Sequence, residues 1–423
     1  MKVTINTNAD TNHKSFNAET LQLMHQRFNA VIAREEIGFF HLSSADRHLE
    51  ECQSIYDKFQ TKKYFVQIGI GGSALGPQML VDALGDQSKC EILFMDNTDA
   101  EYIYDVLGKI KSPKDSLFYV VSKSGGTAET VANFAIAKNF LLENGISEKD
   151  LNQYFVFCTD NDKGHLRELA NNENYATLEV PSDLGGRFSV LSPVGILPAL
   201  FAQINCEELI RGAKELAAEI ANAGQAHDLF NLGAHINYLM SECKPSVNQT
   251  VLMPYSSKLK NLSHWFVQLW GESLGKYSQK SSSHVGLTPI PAYGATDQHS
   301  QMQLFMEGPN DKVLIILEVE KRNQDYPLAA NINMQPAKEL SKYSLNQLIK
   351  AQIDGTLKAL NERERNVVHI KIAENNPLAM GQLIMYFECL TALMGEYLDI
   401  NAFDQPGVEL GKKFAYEYLK NLA

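Results

Sequence analysis

Residues 64–77 read YFVQIGIGGSALGP, an apolar run that leads directly into a glycine-rich turn. The aromatic and β-branched residues of this run are typical of a buried parallel strand. Gly69, Gly71 and Gly72 permit backbone conformations and close approaches that other residues do not. Ser73 follows where a helix begins, beside unpaired N–H groups and the positive end of a helix dipole. The stretch therefore predicts a strand–turn–helix unit that binds an anion such as phosphate.

Two other interpretations fit the same residues. The spacing Gly69-x-Gly71-x-x-Ala74 satisfies the loose dinucleotide fingerprint, and Asp96 ends the next apolar run about 20 residues later, where a ribose-binding acid is expected. A tight strand-to-helix turn without any ligand also has this composition. Features elsewhere in the sequence are needed to distinguish a phosphate site, a dinucleotide site and a turn without a ligand.

Composition limits the possible partners. A chain of 423 residues is long enough for two or three domains. The net charge of −12 argues against nucleic acid, so an anionic substrate must be held by local dipoles and a few cations. The six cysteines are scattered without a C-x-x-C pair, as in reduced, cytosolic proteins. The polar amino terminus and the lack of an apolar stretch near 18 residues predict no membrane contact and a cytoplasmic location.

Strand-like and helix-like patterns alternate after the first 60 residues. Strands are predicted at 64–70, 90–96, 116–122, 154–159 and 175–180, with helices at 74–85, 99–110, 127–143 and 163–172. This order predicts a doubly wound α/β domain with a mainly parallel sheet.

The Gly- and Pro-rich stretch 181–201 is interpreted as a connector with a sharp turn. Further strands at 250–254, 312–318 and 367–372 predict a second α/β domain. Residues 1–15 are expected to form a loosely packed arm, and a last helix spans about 407–420.

A second phosphate-binding candidate is residues 118–130, FYVVSKSGGTAET. A buried strand again ends in glycines and small polar residues, whose successive N–H groups can form an anion nest. Without a ligand, Thr127 would be a helix N-cap and Glu129 a first-turn acid. Two such loops at neighbouring strand ends converge on one point, which favours a phosphate cradle over a dinucleotide site. Hydroxyls and one local cation come from Ser122, Lys123, Ser124, Thr127 and Thr130.

Two charged residues stand out further along. The glycines Gly185 and Gly186 allow Arg187 to project inward from a loop, where its planar cation suits an oxyanion or a phosphate. In residues 268–276, QLWGESLGK, the helix is expected to break at Gly271, leaving Glu272 partly desolvated and suited to act as a base. A solvated surface position is the alternative for both side chains.

Two later stretches add candidates for proton transfer. His299 lies at a polar loop-to-helix junction in residues 294–303, GATDQHSQMQ, and is expected to open an apolar helix. Residues 405–413, QPGVELGKK, start a late helix just after a proline and a glycine. Of Lys412 and Lys413, only one is expected to point towards a site.

With these stretches in view, the chain resembles the glucose-6-phosphate isomerase family in its short bacterial form. The resemblance runs from about Ile68 to the carboxyl end. It rests on six motifs in the order and approximate spacing of that family: GIGGSALGP, VSKSGGTAET, LGGRFSVLSPVG, QLWGESLGK, TDQHSQ and QPGVELGKK. Six ordered motifs are far more specific than any one of them.

The resemblance implies an architecture. It implies two sugar isomerase domains of doubly wound α/β type with mainly parallel sheets flanked by helices, plus a C-terminal helix. It also implies a homodimer that uses no metal and no nucleotide. We divide the chain into an N-terminal helical segment at 1–60, a first sugar isomerase domain at 61–190, a helical connector at 191–245, a second domain at 246–400, and a C-terminal helix at 401–423 that completes the active site.

The resemblance also implies roles. Glu272 is similar to the base that moves a proton between C1 and C2 of the open sugar, and Arg187 to the cation that stabilises the enediolate. His299, donated by the partner subunit, and Lys412 match the ring-opening residues. The phosphate-binding hydroxyls match Ser73, Ser122, Ser124, Thr127 and Thr130. Positions that contact the sugar match Gly72, Gly186, Gln268 and Gln405, and Glu129 matches a second acid near the ring.

Three departures from the family pattern leave the sugar preference open. Gly126 stands where many relatives have threonine, Leu274 replaces a polar residue, and Pro406 replaces a tryptophan. None removes a residue with an implied role. Whether mannose 6-phosphate is accepted beside glucose 6-phosphate and fructose 6-phosphate therefore stays open.

Two other functions are alternatives to the isomerase. A non-catalytic sugar-phosphate sensor would bind fructose 6-phosphate without exchanging its C1 or C2 hydrogen with solvent. An NAD(P)-dependent dehydrogenase would use the glycine turn and Asp96, and would change NADH fluorescence. The pair Glu272 and Arg187 distinguishes the isomerase, because moving a carbonyl between neighbouring carbons requires a base over the C–H and a cation near the oxygens.

Overall fold

The computed structural model describes residues 1–6, 13–329 and 332–422. The strands are β1 (Lys2–Asn6), β2 (Tyr64–Ile68), β3 (Glu91–Met95), β4 (Ser116–Val121), β5 (Phe155–Thr159), β6 (Ala176–Glu179), β7 (Gln249–Pro254), β8 (Lys276–Ser278), β9 (Ser283–Val285), β10 (Thr288–Pro291), β11 (Lys312–Lys321) and β12 (Asn366–Glu374). The helices are α1 (Ala18–Ile32), α2 (Ala45–Phe59), α3 (Leu75–Leu84), α4 (Ala100–Lys109), α5 (Ala128–Glu143), α6 (His165–Glu173), α7 (Pro193–Phe201), α8 (Cys206–Ala223), α9 (Asp228–Ser241), α10 (Lys260–Leu274), α11 (Met302–Glu307), α12 (Gln335–Leu340), α13 (Leu345–Glu362), α14 (Pro377–Tyr397) and α15 (Glu409–Lys420).

The first sheet is fully parallel, with strand order β3-β2-β4-β5-β6. Its central strand β4 is buried throughout, as expected for a strand covered by helices on both faces. The order reverses between β2 and β4, so the glycine turn after β2 and the hydroxyl-rich loop after β4 leave the sheet side by side. The α/β class and the mainly parallel first sheet predicted from the alternating pattern are confirmed.

The second sheet has strand order β1-β12-β11-β7-β10, and only the β1–β12 pair is antiparallel. The expected loose arm at the amino terminus is wrong for its first residues, because β1 pairs with β12 in the register Val3↔Ile370. Strand β10 was not predicted because Pro289 and Pro291 interrupt its pattern. Proline is tolerated there since β10 is an edge strand.

A layer of helices buries the rest of the core. Helix α14 packs against α8, α9 and α10, and most of its side chains are inaccessible to solvent. It is the one described helix long and apolar enough to cross a bilayer, but 89% of its apolar window is buried inside the protein, as in a core helix.

The segment predicted as a connector with a sharp turn instead contains the buried helix α7. Ser192 accepts a hydrogen bond from the N–H of Val194, and Pro193 occupies the first turn, where its missing N–H costs nothing. Pro198 lies inside the helix, where proline is uncommon, and this second proline is the reason that the sequence pattern predicted a turn instead of a helix. The apolar residues of the stretch therefore contribute to the core instead of a loop.

The carboxyl end differs from the rest of the fold. Every described residue from 404 to 422 is exposed, including all of α15. Apolar side chains on this helix, such as Leu410, Phe414 and Leu419, are more than half exposed. The predicted C-terminal helix is confirmed, but its apolar side chains do not pack into a core formed by the described part of the chain.

Candidate active site

Arg187 is the centre of the site and lies in a single helical turn, Gly186–Phe188, after β6. Its side chain is only 2% exposed, so the inward orientation predicted from the two preceding glycines is correct. Its Nε donates to Ser273 Oγ at 2.7 Å, and Nη2 donates to the carbonyl oxygens of Ala402 at 2.6 Å and Asp404 at 2.9 Å. Its Nη1 lies 3.0 Å from Glu272 Oε1. Burial lowers the pKa of the guanidinium, and the charge of Glu272 offsets part of this effect.

Glu272 lies in the last turn of α10, and the helix break expected at Gly271 does not occur. Pro289 of β10 packs against the helix at this point, and a Cβ on Gly271 would lie 3.4 Å from the proline ring, which is an ordinary van der Waals contact. The carboxylate is 22% exposed. One oxygen pairs with Arg187, and the other accepts a hydrogen bond from Gln268 Nε2 at 3.0 Å. Two partners thus fix the orientation of the carboxylate while part of it faces solvent.

Three sequence motifs meet at this point. A Cβ on Gly72 would overlap the backbone carbonyl of Gly186, so a glycine at position 72 is needed for the loops to touch. Gly71 has a φ of +59°, and a side chain there would contact Gln268 Nε2. The glycine turn, the arginine turn and the end of α10 therefore form one continuous wall.

The hydroxyl-rich loop after β4 leads into the amino terminus of α5. Thr127 is the N-cap residue, but its side chain makes no capping bond; its Oγ1 lies 3.0 Å from Ser122 Oγ, which also accepts from the N–H of Gly125. Thr130 is 1% exposed, and its Oγ1 has no partner among the described residues. Ser124 is exposed, and Ser73 lies at the end of the glycine turn, where its carbonyl accepts from Gln67. The first amide groups of α5 are therefore left for an anion.

The predicted cation of this loop points elsewhere. Lys123 Nζ donates to the carbonyl oxygens of Ser182 and Leu184, at 2.9 and 2.8 Å. Burial lowers the pKa of Lys123, while Asp160 and Asp183 partly offset this. The ammonium thus joins the hydroxyl-rich loop after β4 to the segment before Arg187. Glu129 is half-buried in the first turn of α5.

Three predicted residues lie away from these contacts. His299 ends a short helical turn, Thr296–His299, instead of opening a helix, and its ring is exposed. Its neighbour Gln298 donates to Thr356 of α13 and anchors this turn. Lys412 is exposed on α15 and bonds Glu409 at 2.8 Å, and Gln405 is also exposed. Within residues 1–6, 13–329 and 332–422, neither His299 nor Lys412 forms a hydrogen bond or ion pair with Glu272 or Arg187.

Sequence reasoning missed three residues in or beside this wall. Ser273 and Lys276 both belong to QLWGESLGK, but neither was assigned a role; the only signal was their position beside Glu272. Gln67 interrupts the apolar strand β2, and its Nε2 donates to the carbonyls of Ser73 and Val194, which joins the glycine turn to α7. A lone polar residue in a buried strand is the signal that could have found it.

The dinucleotide alternative is not supported by this geometry. The Asp96 carboxylate accepts a hydrogen bond from Gln78 Nε2 at 2.7 Å instead of standing free for a ribose. The glycine turn is closed by Gly186 at the point where a pyrophosphate would approach.

Comparison with known proteins shows the family to which the chain belongs. The family model described as "Phosphoglucose isomerase" matches residues 46–423. The chain belongs to the phosphoglucose isomerase family. A glucose-6-phosphate isomerase of Carboxydothermus hydrogenoformans is 40% identical over 404 residues, which cover 91% of this chain and 85% of the relative.

Solved structures show the same fold. A hypothetical protein of Thermus thermophilus superposes with a TM-score of 0.90 at 34% identity and covers 99% of this chain and 100% of its own. A glucose-6-phosphate isomerase of Chlamydia trachomatis superposes with a TM-score of 0.75 at 23% identity, covering 94% of this chain and 78% of its own. The fold expected from the resemblance, mainly parallel sheets flanked by helices with a C-terminal helix, is confirmed.

Proposed function

We propose that this protein interconverts glucose 6-phosphate and fructose 6-phosphate by ring opening and proton transfer through a cis-enediolate. The observation that carries the proposal is the contact between Glu272 and Arg187 in a wall formed by three motifs of the phosphoglucose isomerase family. A base held against a buried cation is the arrangement that aldose–ketose isomerisation requires.

Glu272 moves the proton. Its carboxylate removes the hydrogen from C2 of open-chain glucose 6-phosphate, and the electron pair of the C–H bond becomes part of the enediolate. The hydroxyl proton passes from O2 to O1 of the enediolate, and the same carboxyl group returns the first proton to C1 as the C2–O2 double bond forms, which gives fructose 6-phosphate. The hydrogen bond from Gln268 and the contact with Arg187 hold the carboxylate in one orientation. The carboxylate can therefore remove the proton and return it on the same face of the sugar.

Arg187 stabilises the negative charge of the intermediate. Three of its N–H groups are bound to Ser273, Ala402 and Asp404, so the guanidinium cannot rotate away. Nη1 lies 3.0 Å from Glu272, so negative charge that develops on a sugar oxygen beside the carboxylate meets the same fixed cation. A fixed dipole or cation that needs no reorganisation is the most effective form of such stabilisation.

The phosphate is anchored at the amino terminus of α5. Ser122, Ser124, Thr127 and Thr130 surround this helix end, and Ser73 adds a hydroxyl from the neighbouring glycine turn. The unpaired Oγ1 of Thr130 and the uncapped first turn of α5 both lack a partner within the described chain. Phosphate oxygens would satisfy these groups without help from a side-chain cation.

Ring opening is assigned to His299 and Lys412, and it requires two chains. Both side chains are exposed in one chain, and α15 presents apolar residues without a partner. We therefore propose a cytoplasmic homodimer in which His299 reaches the site of the other subunit and α15 docks beside Glu272. The proposed reaction uses no metal and no nucleotide.

The direct test is a coupled assay in which fructose 6-phosphate conversion is followed as glucose 6-phosphate. Turnover with fructose 6-phosphate supports the proposal. Binding without turnover would identify a sugar-phosphate sensor, and a change of NADH fluorescence on adding the protein would support a dehydrogenase. Mannose 6-phosphate, run in parallel, shows whether the departures at Gly126 and Pro406 widen the substrate range.

A further inference from the structure

Lys276 lies just after α10, at the start of β8, and its side chain is 8% exposed. Its Nζ donates to the carbonyl oxygens of Glu272 at 2.9 Å and Ser273 at 3.0 Å. The same ammonium lies 3.4 Å from Asp404 Oδ1. One buried cation thus contacts the backbone of the predicted base and a carboxylate far along the chain, that of Asp404.

The first two contacts act on the end of α10. The last carbonyl groups of a helix have no intrahelical partner, and a cation there also interacts favourably with the helix dipole. Lys276 satisfies two of these carbonyls, including that of Glu272 itself. The turn that presents the Glu272 carboxylate is therefore fixed by a side chain that does not touch the carboxylate.

The third contact acts on the segment that leads to α15. Asp404 immediately precedes Gln405, and its carbonyl oxygen is bound by Arg187, as is the carbonyl oxygen of Ala402. Two cations, Arg187 and Lys276, therefore hold residues 402–404 against the end of α10. Every described residue from 404 onward is exposed, so this is the last point at which side-chain contacts of the core fix the chain.

We propose that Lys276 is a positioning residue for the isomerisation: it clamps the turn of Glu272 to residues 402–404 and so sets where Gln405 and Lys412 lie relative to the base. The inference rests on the proposed function and adds to it a residue outside the implied roles. An ordinary surface lysine would be solvated, whereas this ammonium is buried and meets three oxygen acceptors.

Four variants test this clamp, by which we mean the contacts of Lys276 with the turn of Glu272 and with Asp404. Lys276→Met keeps the length of the side chain but removes the donors, and Lys276→Arg restores charge and donors. Asp404→Asn weakens the same contact from the other side, at a half-exposed position where misfolding is not expected. Lys280→Met is the matched control, because Lys280 is exposed and pairs with Asp399 outside the site.

We expect Lys276→Met to lower kcat by about 10- to 100-fold, because a displacement of about 1 Å of a positioned group can cost that much. The KM should change by less than about threefold, since the phosphate anchor is untouched. Lys276→Arg should recover most of the lost kcat, and Asp404→Asn should show a smaller loss in the same parameter. Lys280→Met should behave as the wild type.

Amide hydrogen exchange at residues 401–405 measures the clamp independently of turnover. It should accelerate in Lys276→Met and Asp404→Asn but not in Lys280→Met. Wild-type kcat in both Lys276→Met and Asp404→Asn, or unchanged exchange at 401–405, would overturn the inference. A wild-type protein that does not convert fructose 6-phosphate would instead overturn the proposed function, whereas the exchange data would still decide whether the clamp exists.

Discussion

Arg187 and Glu272 are 85 residues apart in the sequence, yet Nη1 of the arginine lies 3.0 Å from Oε1 of the glutamate. The arginine comes from a turn after the first sheet, and the glutamate from a helix that packs on β10 of the second sheet. The contact therefore joins the two halves of the protein at one ion pair. Because the arginine is also bound to Ser273, Ala402 and Asp404, we expect its loss to affect the fold as well as the proposed chemistry.

Arg187→Lys should reduce both stability and turnover. A lysine keeps the charge but cannot reproduce the fork that binds four groups, so buried acceptors are left unpaired at about 1–3 kcal/mol each. We expect a loss of roughly 2–4 kcal/mol in the free energy of unfolding and at least about a 100-fold loss in kcat. The matched control is Arg167→Lys, because Arg167 is also buried and bonds Asp160 O and Thr177 Oγ1. The Arg167→Lys variant should lose stability and keep its kcat. An equal loss of kcat in both variants would contradict the proposed role of Arg187 in stabilising the intermediate.

Thr130→Val should weaken substrate binding without weakening the fold. The substitution keeps the shape and removes a buried hydroxyl that has no partner in the described chain. A hydrogen bond to a charged group contributes about 1.5–3 kcal/mol, so the KM for fructose 6-phosphate should rise about tenfold or more with little change in kcat. The Oγ1 of Thr159 is equally buried and unpaired but lies outside the phosphate loop. If Thr159→Val raised the KM as much as Thr130→Val, the hydroxyl of Thr130 would have no special part in binding.

Hybrid dimers test whether His299 serves the other subunit. Chains with Glu272→Gln and chains with His299→Ala are each expected to be inactive. In a mixed dimer one site combines an intact Glu272 with an intact His299, so random mixing should restore about one quarter of wild-type activity. Glu272→Gln mixed with Arg187→Met is the control, since these two residues touch within one chain and no mixed site is intact. An inactive Glu272–His299 mixture, with hybrids verified by mass spectrometry, would mean that each site is built within one chain.

Glu388 makes stability depend on pH. It lies in the middle of α14 at 1% exposure, and its Oε1 has no partner among the described residues. Burial raises the pKa of this carboxyl group well above its ordinary value of 4.5. The unfolded chain therefore releases the proton first, and stability is lost as pH rises above about 4.5 towards the folded pKa, with a slope of up to about 1.4 kcal/mol per pH unit.

Glu388→Gln should remove this loss, so the variant should gain stability over the wild type as pH increases from about 5 to 8. The measurement is the free energy of unfolding by denaturant at several pH values. Glu362→Gln, at an exposed position in α13, should follow the wild type. A constant difference between Glu388→Gln and wild type across this range would show that Glu388 does not carry a raised pKa.

Much of the fold follows from local patterns. The predicted strands of the first sheet coincide with β2 to β6 to within two residues, because each is a short apolar run bounded by turn residues. The strands β1 and β10 could not be predicted in the same way. The first depends on a partner more than 360 positions away in the register Val3↔Ile370, and the second contains two prolines that only an edge position permits.

The candidate site was predictable in its residue types but not in its contacts. The glycine spacing indicated where loops approach one another, and the structure has Gly72 against Gly186 and Gly71 against Gln268. Gly271 was expected to break its helix, but α10 continues through it to Leu274. A glycine inside a helix costs only about 1 kcal/mol relative to alanine, so burial of the apolar face of α10 outweighs it. The destination of the Lys123 ammonium depends likewise on carbonyl groups about 60 residues away.

The central claim is that Glu272 alone carries the proton between C1 and C2. The measurement is solvent-deuterium incorporation into fructose 6-phosphate and glucose 6-phosphate in D2O, with wild type and Glu272→Gln side by side. A glutamine keeps the acceptor for Arg187 but cannot take a proton, so exchange should fall by about 100-fold or more while phosphosugar binding is retained. Deuterium incorporation by Glu272→Gln at a near wild-type rate would contradict the account.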